Sequence, residues 1–334
     1  MRERRHFLGL LALGAGGALP LAGLAQTPAG NASSAFPTKV LKIVVPNGPG
    51  GAADLTARIV AQKMSLGLGQ NVIVDNRPGA GGVVAAEMVA HAEPDGHTLL
   101  LVSSGTAVTA ALFKKLPFDA MKDFAPVSQL ASFDLVLVVA GGGRFKTLAD
   151  LLAWARANPG KLNLGTPQVG TTQNLAAELF KSSAGIDAQV VPFNGTPPAI
   201  TALRGGDVDA VVDILGPLIG QIGSGALLPL AALGARRALQ LPAVPTVRES
   251  GGPLAGFGVS SWNGLAVPAK TPPAVIDRLN HEVQVALAQS EVKQKLLDLN
   301  LVAQGGTPAQ LGALLAGDIQ RWSEVIARAR IPRQ

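Results

Sequence analysis

From Leu41 onward, short and nearly continuous apolar runs alternate with segments whose apolar residues recur every three or four positions. "LKIVVP" reads as a strand, and "DLTARIVAQKM" as a helix that turns Leu55, Ile59, Val60 and Met64 towards one side. "NVIVDN" is a strand, "GGVVAAEMVAHA" a helix and "HTLLLVSS" a strand. Strands this uniformly apolar belong in a parallel sheet covered on both faces, because an open face would show polar alternation. The expected class is therefore α/β.

The rhythm then restarts. The strand "FDLVLVVA" leads to the helix "TLADLLAWARANPG", with Thr147 and Asp150 placed as a capping box and Asn158-Pro159-Gly160 as the stop. The strand "LNLGT", the helix "NLAAELFKSSAG", the strand "AQVVPF" and a helix from about Pro198 follow. The strands "VDAVVDI" and "LLPLAAL" close the second set. After a Pro- and Gly-rich stretch over 242–252, "SSWNGLAVP" is a last strand before helices near 272–297 and 308–329. Periodicity alone gives two α/β units in tandem with a helical tail.

The N-terminus does not belong to this pattern. "MRERRHFLGLLALGAGGALPLAGLAQ" has a basic start, an apolar run from Phe7 to Leu24, and small residues Gly23 and Ala25 where a signal peptidase reads. We expect export to the periplasm with cleavage after Ala25, and residues 26–36 as a flexible leader. Arg4 and Arg5 also fit the twin-arginine pattern, so the export route stays open. The chain has no cysteine, so packing alone must hold it together outside the cytoplasm. Its formal charge is +6, and loss of Arg2, Glu3, Arg4 and Arg5 leaves about +4. With no run of like charges and no aromatic RNA-binding signature, a nucleic-acid partner is not expected.

Searches for catalytic chemistry fail one by one. "HEVQV" has Val285 where a zinc-protease helix needs its second histidine, and "GGGRFKT" has Phe145 where a phosphate loop needs glycine. "GSG" lacks the spacing of a nucleophile elbow. Asp209 and Asp213 would share a strand face, although backbone hydrogen bonding accounts for both. One enzyme-like signal survives: Gly48, Gly50 and Ala53 fit G-x-G-x-x-A between strand and helix, with Asp75 ending the next strand. Pro46 and Pro49 stiffen that turn, and Pro49 removes an N–H donor that a pyrophosphate would use.

In an open parallel sheet, ligands sit beside the loops that flank the first strand's switch point. Those loops are "PNGPGGAAD" and "SSGTA" in the first unit, and "GTPQVGTTQN" and the segment around Asp213 in the second. Except for the last they are rich in Gly, Ser or Thr, and the two longest open helices. Helix N-terminal N–H groups with hydroxyls suit a carboxylate without any arginine.

These residues, in order, resemble the tripartite tricarboxylate transporter receptors, the Bug family of periplasmic solute-binding proteins. The resemblance rests on "PNGPGGAADLTAR", "VDNRPGAGGVVAAEMVAHAEPDGHTLL", "GTPQVGTTQNLAAELF", "VPFNGTPPAITALRGGDVDAVVD" and "WNGLAVPAKTPPAVIDRLN", and it covers nearly all of the mature chain. It implies a two-lobed type II periplasmic binding protein fold with two crossover strands. One lobe would be residues 37–133 plus 256–334, the other 134–255, so the tail rejoins the first lobe. The implied function is capture of a small carboxylate for membrane permease subunits of a tripartite tricarboxylate-type transporter, by a monomer with no cofactor, no metal and no catalytic role.

Carried over by position, the resemblance assigns Asn47, Gly50, Gly51, Ala52 and Ala53 to the carboxylate, flanked by Ser103 and Ser104. Thr166, Val169, Gly170, Thr171 and Thr172 would join from the second lobe, and Phe193, Asn194 and Asp213 would shape the far end. The chain departs from the family at Asn47, often aromatic, at Asn174, commonly histidine, and at Phe193, usually tyrosine. Asp54 is expected to organise its own loop rather than meet the anion, since a second negative charge would repel it. Arg77 and residues 79–82 are expected to lie away from the site. Two alternatives remain: an exported dinucleotide- or flavin-dependent oxidoreductase, and a ligand-sensing receptor for a membrane signalling protein.

Overall fold

A computed structural model of the chain describes residues 36–334 apart from Gln168 and Gly170. The expected leader, the cleavage point after Ala25 and the candidate Gly170 lie outside the described residues.

The first unit runs β1 (Leu41–Val45), α1 (Ala52–Leu68), β2 (Val72–Asn76), α2 (Val83–Ala90), β3 (Thr98–Ser103) and α3 (Ser104–Leu112). β1 is central and parallel to both neighbours, with Lys42 opposite Ile73 on one side and Thr98 on the other. The second run is β4 (Phe124–Ala140), α4 (Leu148–Ala157), β5 (Leu162–Thr166), α5 (Thr172–Ala184), β6 (Ala188–Pro192), α6 (Thr196–Gly205), β7 (Ala210–Ile214), α7 (Ile219–Gly223) and β8 (Leu227–Ala232). There β5 is central, parallel to β6 and β7. The tail is β9 (Ser260–Pro268), α8 (Pro273–Ala288), α9 (Ser290–Asp298), β10 (Val302–Ala303) and α10 (Pro308–Arg328).

The strands form a continuous path in the order β2-β1-β3-β9-β4-β7-β5-β6, with β10 and β8 also on β4. Two expectations change here. The sheet is mixed rather than parallel, because β9 is antiparallel to both β3 and β4. The tandem reading also fails, because β9 pairs with β3 and so joins the tail to the first unit. Local periodicity reports whether a strand is buried, not which strand it pairs with, so neither feature was visible in it.

β4 is the joint. It has 17 residues, twice the expected length, because Pro126, Ser128 and Gln129 interrupt the apolar pattern of its first half. Up to Asp134 it pairs with β9, and from Leu135 it pairs with β7 and β8. The return crossing lies alongside: Leu233 N–H donates to Leu135 O at 2.8 Å, and Val259 N–H to Leu233 O at 2.7 Å. Two antiparallel extended segments thus connect the units at one place.

Three apolar clusters follow from this. One lies between the first sheet segment and α1, α8 and α9, around Ile43, Val60, Met64, Leu99 and Val283. In α1 the fully buried face is Ala57, Val60 and Met64, while Leu55 and Ile59 are half-buried at its edge. A smaller cluster lies under α6, around Val136, Val211 and Leu203. The third runs along the other face of both segments, from Val44 and Leu100 through Phe180 to Trp322. Burial of this many aliphatic side chains, at about 25 cal/mol per Å² of apolar surface, is what a chain without disulfides has available. The helix starts match the sequence signals. Thr147 and Asp150 cap α4 reciprocally, as do Thr307 and Gln310 on α10.

Candidate functional site

The carboxyl ends of the parallel strands of both segments open onto one cavity of about 550 Å³. Four helices begin on it, α2 through its N-cap Gly82 and three more as follows. Gly51 is the N-cap of α1, with no side chain to occupy the first-turn N–H groups, so these stay open beside Ala52 and Ala53. Ser103 caps α3: its hydroxyl accepts from Gly105 N–H at 3.1 Å, and its own N–H donates to Thr106 Oγ1 at 3.0 Å. Thr171 caps α5, accepting from Asn174 N–H at 3.2 Å. A long helix start carries roughly half a positive charge, so the cavity is polarised for an anion although no Lys, Arg or His is among the described residues lining it.

The units touch at this cavity through hydroxyls. Thr172 Oγ1 on α5 donates to Ser104 Oγ on α3 at 3.1 Å, and Ser104 Oγ in turn pairs with Ser261 Oγ on β9. All three side chains are buried. Asn263, two residues along β9, donates to Thr56 Oγ1 at 3.2 Å, and Thr56 donates to Ala52 O at 2.7 Å, bracing the first turn of α1 from below.

Asp54 is 1% exposed and builds the β1–α1 loop. Its carboxylate accepts from Gly50 N–H at 2.9 Å, Arg58 Nε at 3.0 Å and Asn76 Nδ2 at 2.9 Å, and Arg58 reaches it again at 2.9 Å. Burial alone would push its pKa up, but the hydrogen bonds from Arg58, Gly50 and Asn76 outweigh that and hold it below its ordinary value of 3.8. Asp213 has the opposite balance. It is equally buried, at 1% exposed, and burial pushes its carboxyl up against hydrogen bonds from Thr196, Ile214 N–H and Gln173.

Of the candidates, Asn47, Gly51, Ala52, Ala53, Ser103, Ser104, Thr171 and Thr172 line the cavity together. The other described candidates do not form its wall. Gly50, at φ +84°, makes the turn and donates to Asp54. Thr166 is fully buried, Val169 is half-exposed, and Phe193 packs against the α6 cluster. Asn194 is exposed on the loop after β6, and Asp213 stands behind Gln173. Asn174 is also away from the wall, buried and donating to Thr166 Oγ1 at 3.1 Å.

One expectation is overturned. The loop after β2 does not lie away from the site, because Pro78, Gly79, Gly81 and Gly82 line the same cavity. Gly81 and Gly82 take φ of +66° and +92°, which folds the loop back until Gly81 O accepts from Thr109 Oγ1 of α3 at 2.8 Å. The paired glycines in "GAGG" were the available signal. Sequence reasoning also missed Gln173, Ser261, Asn263, Phe118 and Phe133. Polar residues inside the otherwise apolar "SSWNGLAVP" could have exposed two of them.

The enzyme-like signals dissolve into structure. Asp75 is held by Arg77 at 3.0 Å rather than facing the cavity, so the dinucleotide pattern lacks its ribose partner. Asp209 accepts from Asn163 N–H at 2.8 Å and binds Arg144, at the opposite end of β7 from Asp213. Among the described residues, no group of three or more His, Cys, Asp or Glu could hold a metal ion, and no helix is long and apolar enough to cross a membrane.

Comparison with known proteins places this architecture. The family profile described as "Tripartite tricarboxylate transporter family receptor" matches residues 56–331. The chain belongs to this receptor family. It is 34% identical over 293 residues to Protein BugT of Bordetella pertussis, covering 87% of this chain and 89% of the relative. Among solved structures it is similar to MatC from Rhodopseudomonas palustris with bound malate, at 35% identity and a TM-score of 0.73, covering 87% of this chain and 100% of that one. It is also similar to R. palustris Rpa4515 with adipate, at 31% identity and a TM-score of 0.77, covering 89% of this chain and 99% of the other. The two-lobed type II periplasmic binding fold of this receptor family is therefore the fold of this chain, with β4 and the 233–260 return as its crossovers. The family places the receptor in the periplasm.

Proposed function

We propose that this receptor captures a small carboxylate between its two lobes and delivers it to the membrane subunits of a tripartite tricarboxylate-type transporter, binding its ligand without transforming it. The observation that carries the reading is the convergence of four helix N-termini, three from the first unit and one from the second, on one cavity. Relatives solved with malate and adipate support the same ligand class. The loop at Asn47 and residues 51–53, turned by Gly50, with Ser103 and Ser104, would hold the carboxylate from one side, and Thr171, Thr172 and Gly170 from the other. Thr166, Val169, Phe193, Asn194 and Asp213 would support and extend the second lobe's side. The lobes would be residues 37–133 plus 256–334 and residues 134–255, hinged at Asp134–Leu135 and the return strand, in a monomer whose leader is cleaved after Ala25.

A thermal-shift screen of small mono-, di- and tricarboxylates tests this. A ligand that binds only the folded state at a hundred times its Kd stabilises by about 2.7 kcal/mol, which raises the melting temperature measurably. Stabilisation by an amide or a sugar with none by any carboxylate would sink the anion reading. Closure has its own expectation. Thr172→Val removes the hydroxyl that reaches Ser104 across the cleft, so carboxylate affinity should fall about fivefold, near 1 kcal/mol for one buried neutral hydrogen bond. Unchanged affinity in calorimetry would show that the contact plays no part in the bound state.

A further inference from the structure

Gln173 lines the cavity on the second unit's side and is half-buried at the second residue of α5. Its Nε2 donates to Asp213 Oδ1 at 3.1 Å, and the same oxygen accepts Ile214 N–H at 2.7 Å. Asp213 is sealed from solvent at 1% exposed, between the starts of α5 and α6, with Thr196 on its other side. The Asp213 oxygen takes one N–H of the Gln173 amide. The amide's carbonyl and its second N–H then remain for whatever lies in the cavity. No Lys, Arg, His, Asp or Glu is among the described residues lining the cavity.

We propose that Gln173, set in its orientation by Asp213, selects the group that the bound carboxylate carries against the β7 wall, favouring a hydroxyl or amide over a second ionised carboxylate. A hydroxyl satisfies both halves of the fixed amide, donating to Oε1 and accepting from the free N–H. A second carboxylate can accept the free N–H but meets an amide oxygen it cannot pair with, Asp213 on the same amide's nitrogen, and no cationic side chain among the described residues lining the cavity. The inference rests on the proposed carboxylate function and narrows it to hydroxylated or amidated monocarboxylates, unlike the dicarboxylates bound to the two R. palustris relatives. Asp213 is a positioning residue in this arrangement and Gln173 a specificity residue.

Isothermal titration of the full mature protein with three acid pairs tests it: 5-hydroxypentanoate against glutarate, 6-hydroxyhexanoate against adipate, and pentanoate against hexanoate as the unsubstituted reference. The hydroxy acid of at least one matched pair should bind about tenfold or more tightly than the diacid. Asp213→Asn, which is close to isosteric and frees the Gln173 amide to turn over, should cut that ratio about fivefold or more. Gln173→Met, at a half-exposed helix start, should abolish it while leaving far-UV circular dichroism unchanged. Equal or tighter binding of the diacids by the unaltered protein, or a ratio unmoved in both variants, overturns the inference while the carboxylate reading stands. Absence of binding by every acid, together with an empty thermal-shift screen, overturns that reading and this one with it.

Discussion

Gly51→Leu should abolish carboxylate binding and leave the fold intact. Gly51 has φ −82° and ψ 169°, extended backbone that any residue adopts. A Cβ built there meets nothing nearer than Gly48 O at 3.9 Å, so the new side chain grows into open space. That space is the cavity, at a helix start with no side-chain cap. A leucine would cover the N–H groups of α1's first turn and exclude an anion from them. We expect affinity for any carboxylate ligand to fall by about a hundredfold or more, equivalent to about 2.7 kcal/mol. Stability in urea should change by no more than about 0.5 kcal/mol. The preceding glycine gives the reverse pattern. Gly50 has φ +84°, so Gly50→Ala should cost about 1–2 kcal/mol of stability through backbone strain, in a residue outside the cavity wall. Calorimetry and urea denaturation on the two variants separate the effects. Full affinity in Gly51→Leu would remove the β1–α1 loop from the site.

The contrast between these neighbours shows how far the site can be read from residues alone. The loops after β1, β3 and β5 were legible because each is a local event: an apolar strand ends, small residues turn, and Gly51, Ser103 or Thr171 opens a helix. Caps and turns depend on neighbours within four positions, so sequence carries them directly. What each loop faces depends on pairings that span much of the chain. Ser261 reaches Ser104 only because β9 inserts between β3 and β4, a placement no local period encodes. Gln173 illustrates the same limit. It stood inside a loop that was already singled out, yet its orientation is set by Asp213, forty residues later. The loop after β2 was misplaced for a related reason: the switch-point rule locates strand ends but says nothing of two glycines that fold a third loop back towards α3.

Asp54→Ala should be the most destabilising single change in the site, and its effect should depend on pH in a direction fixed by hydrogen bonding. Asp54 ties the turn at Gly50, the first turn of α1 through Arg58, and the end of β2 through Asn76. Arg58 is half-exposed and returns to water cheaply, so the ion pair itself contributes little. The larger loss is at Gly50 N–H and Asn76 Nδ2, which would lose a charged acceptor that is itself buried. We expect a cost of about 2–4 kcal/mol near neutral pH, from two to three charge-assisted hydrogen bonds. Because the folded-state pKa lies below the ordinary 3.8, the carboxylate's contribution is fully present above that value and is lost as pH falls through the lower one. The stability gap between the unaltered protein and Asp54→Ala should therefore be constant from about pH 5 to 7 and shrink below about pH 4. Asp54→Asn should lie between them, since its amide keeps one acceptor and turns the other into a donor facing N–H groups. Urea denaturation of the three proteins across this range measures the gap. A gap that widens on acidification would mean that the loop binds the protonated form of Asp54, and the hydrogen-bond account of the β1–α1 turn would be wrong.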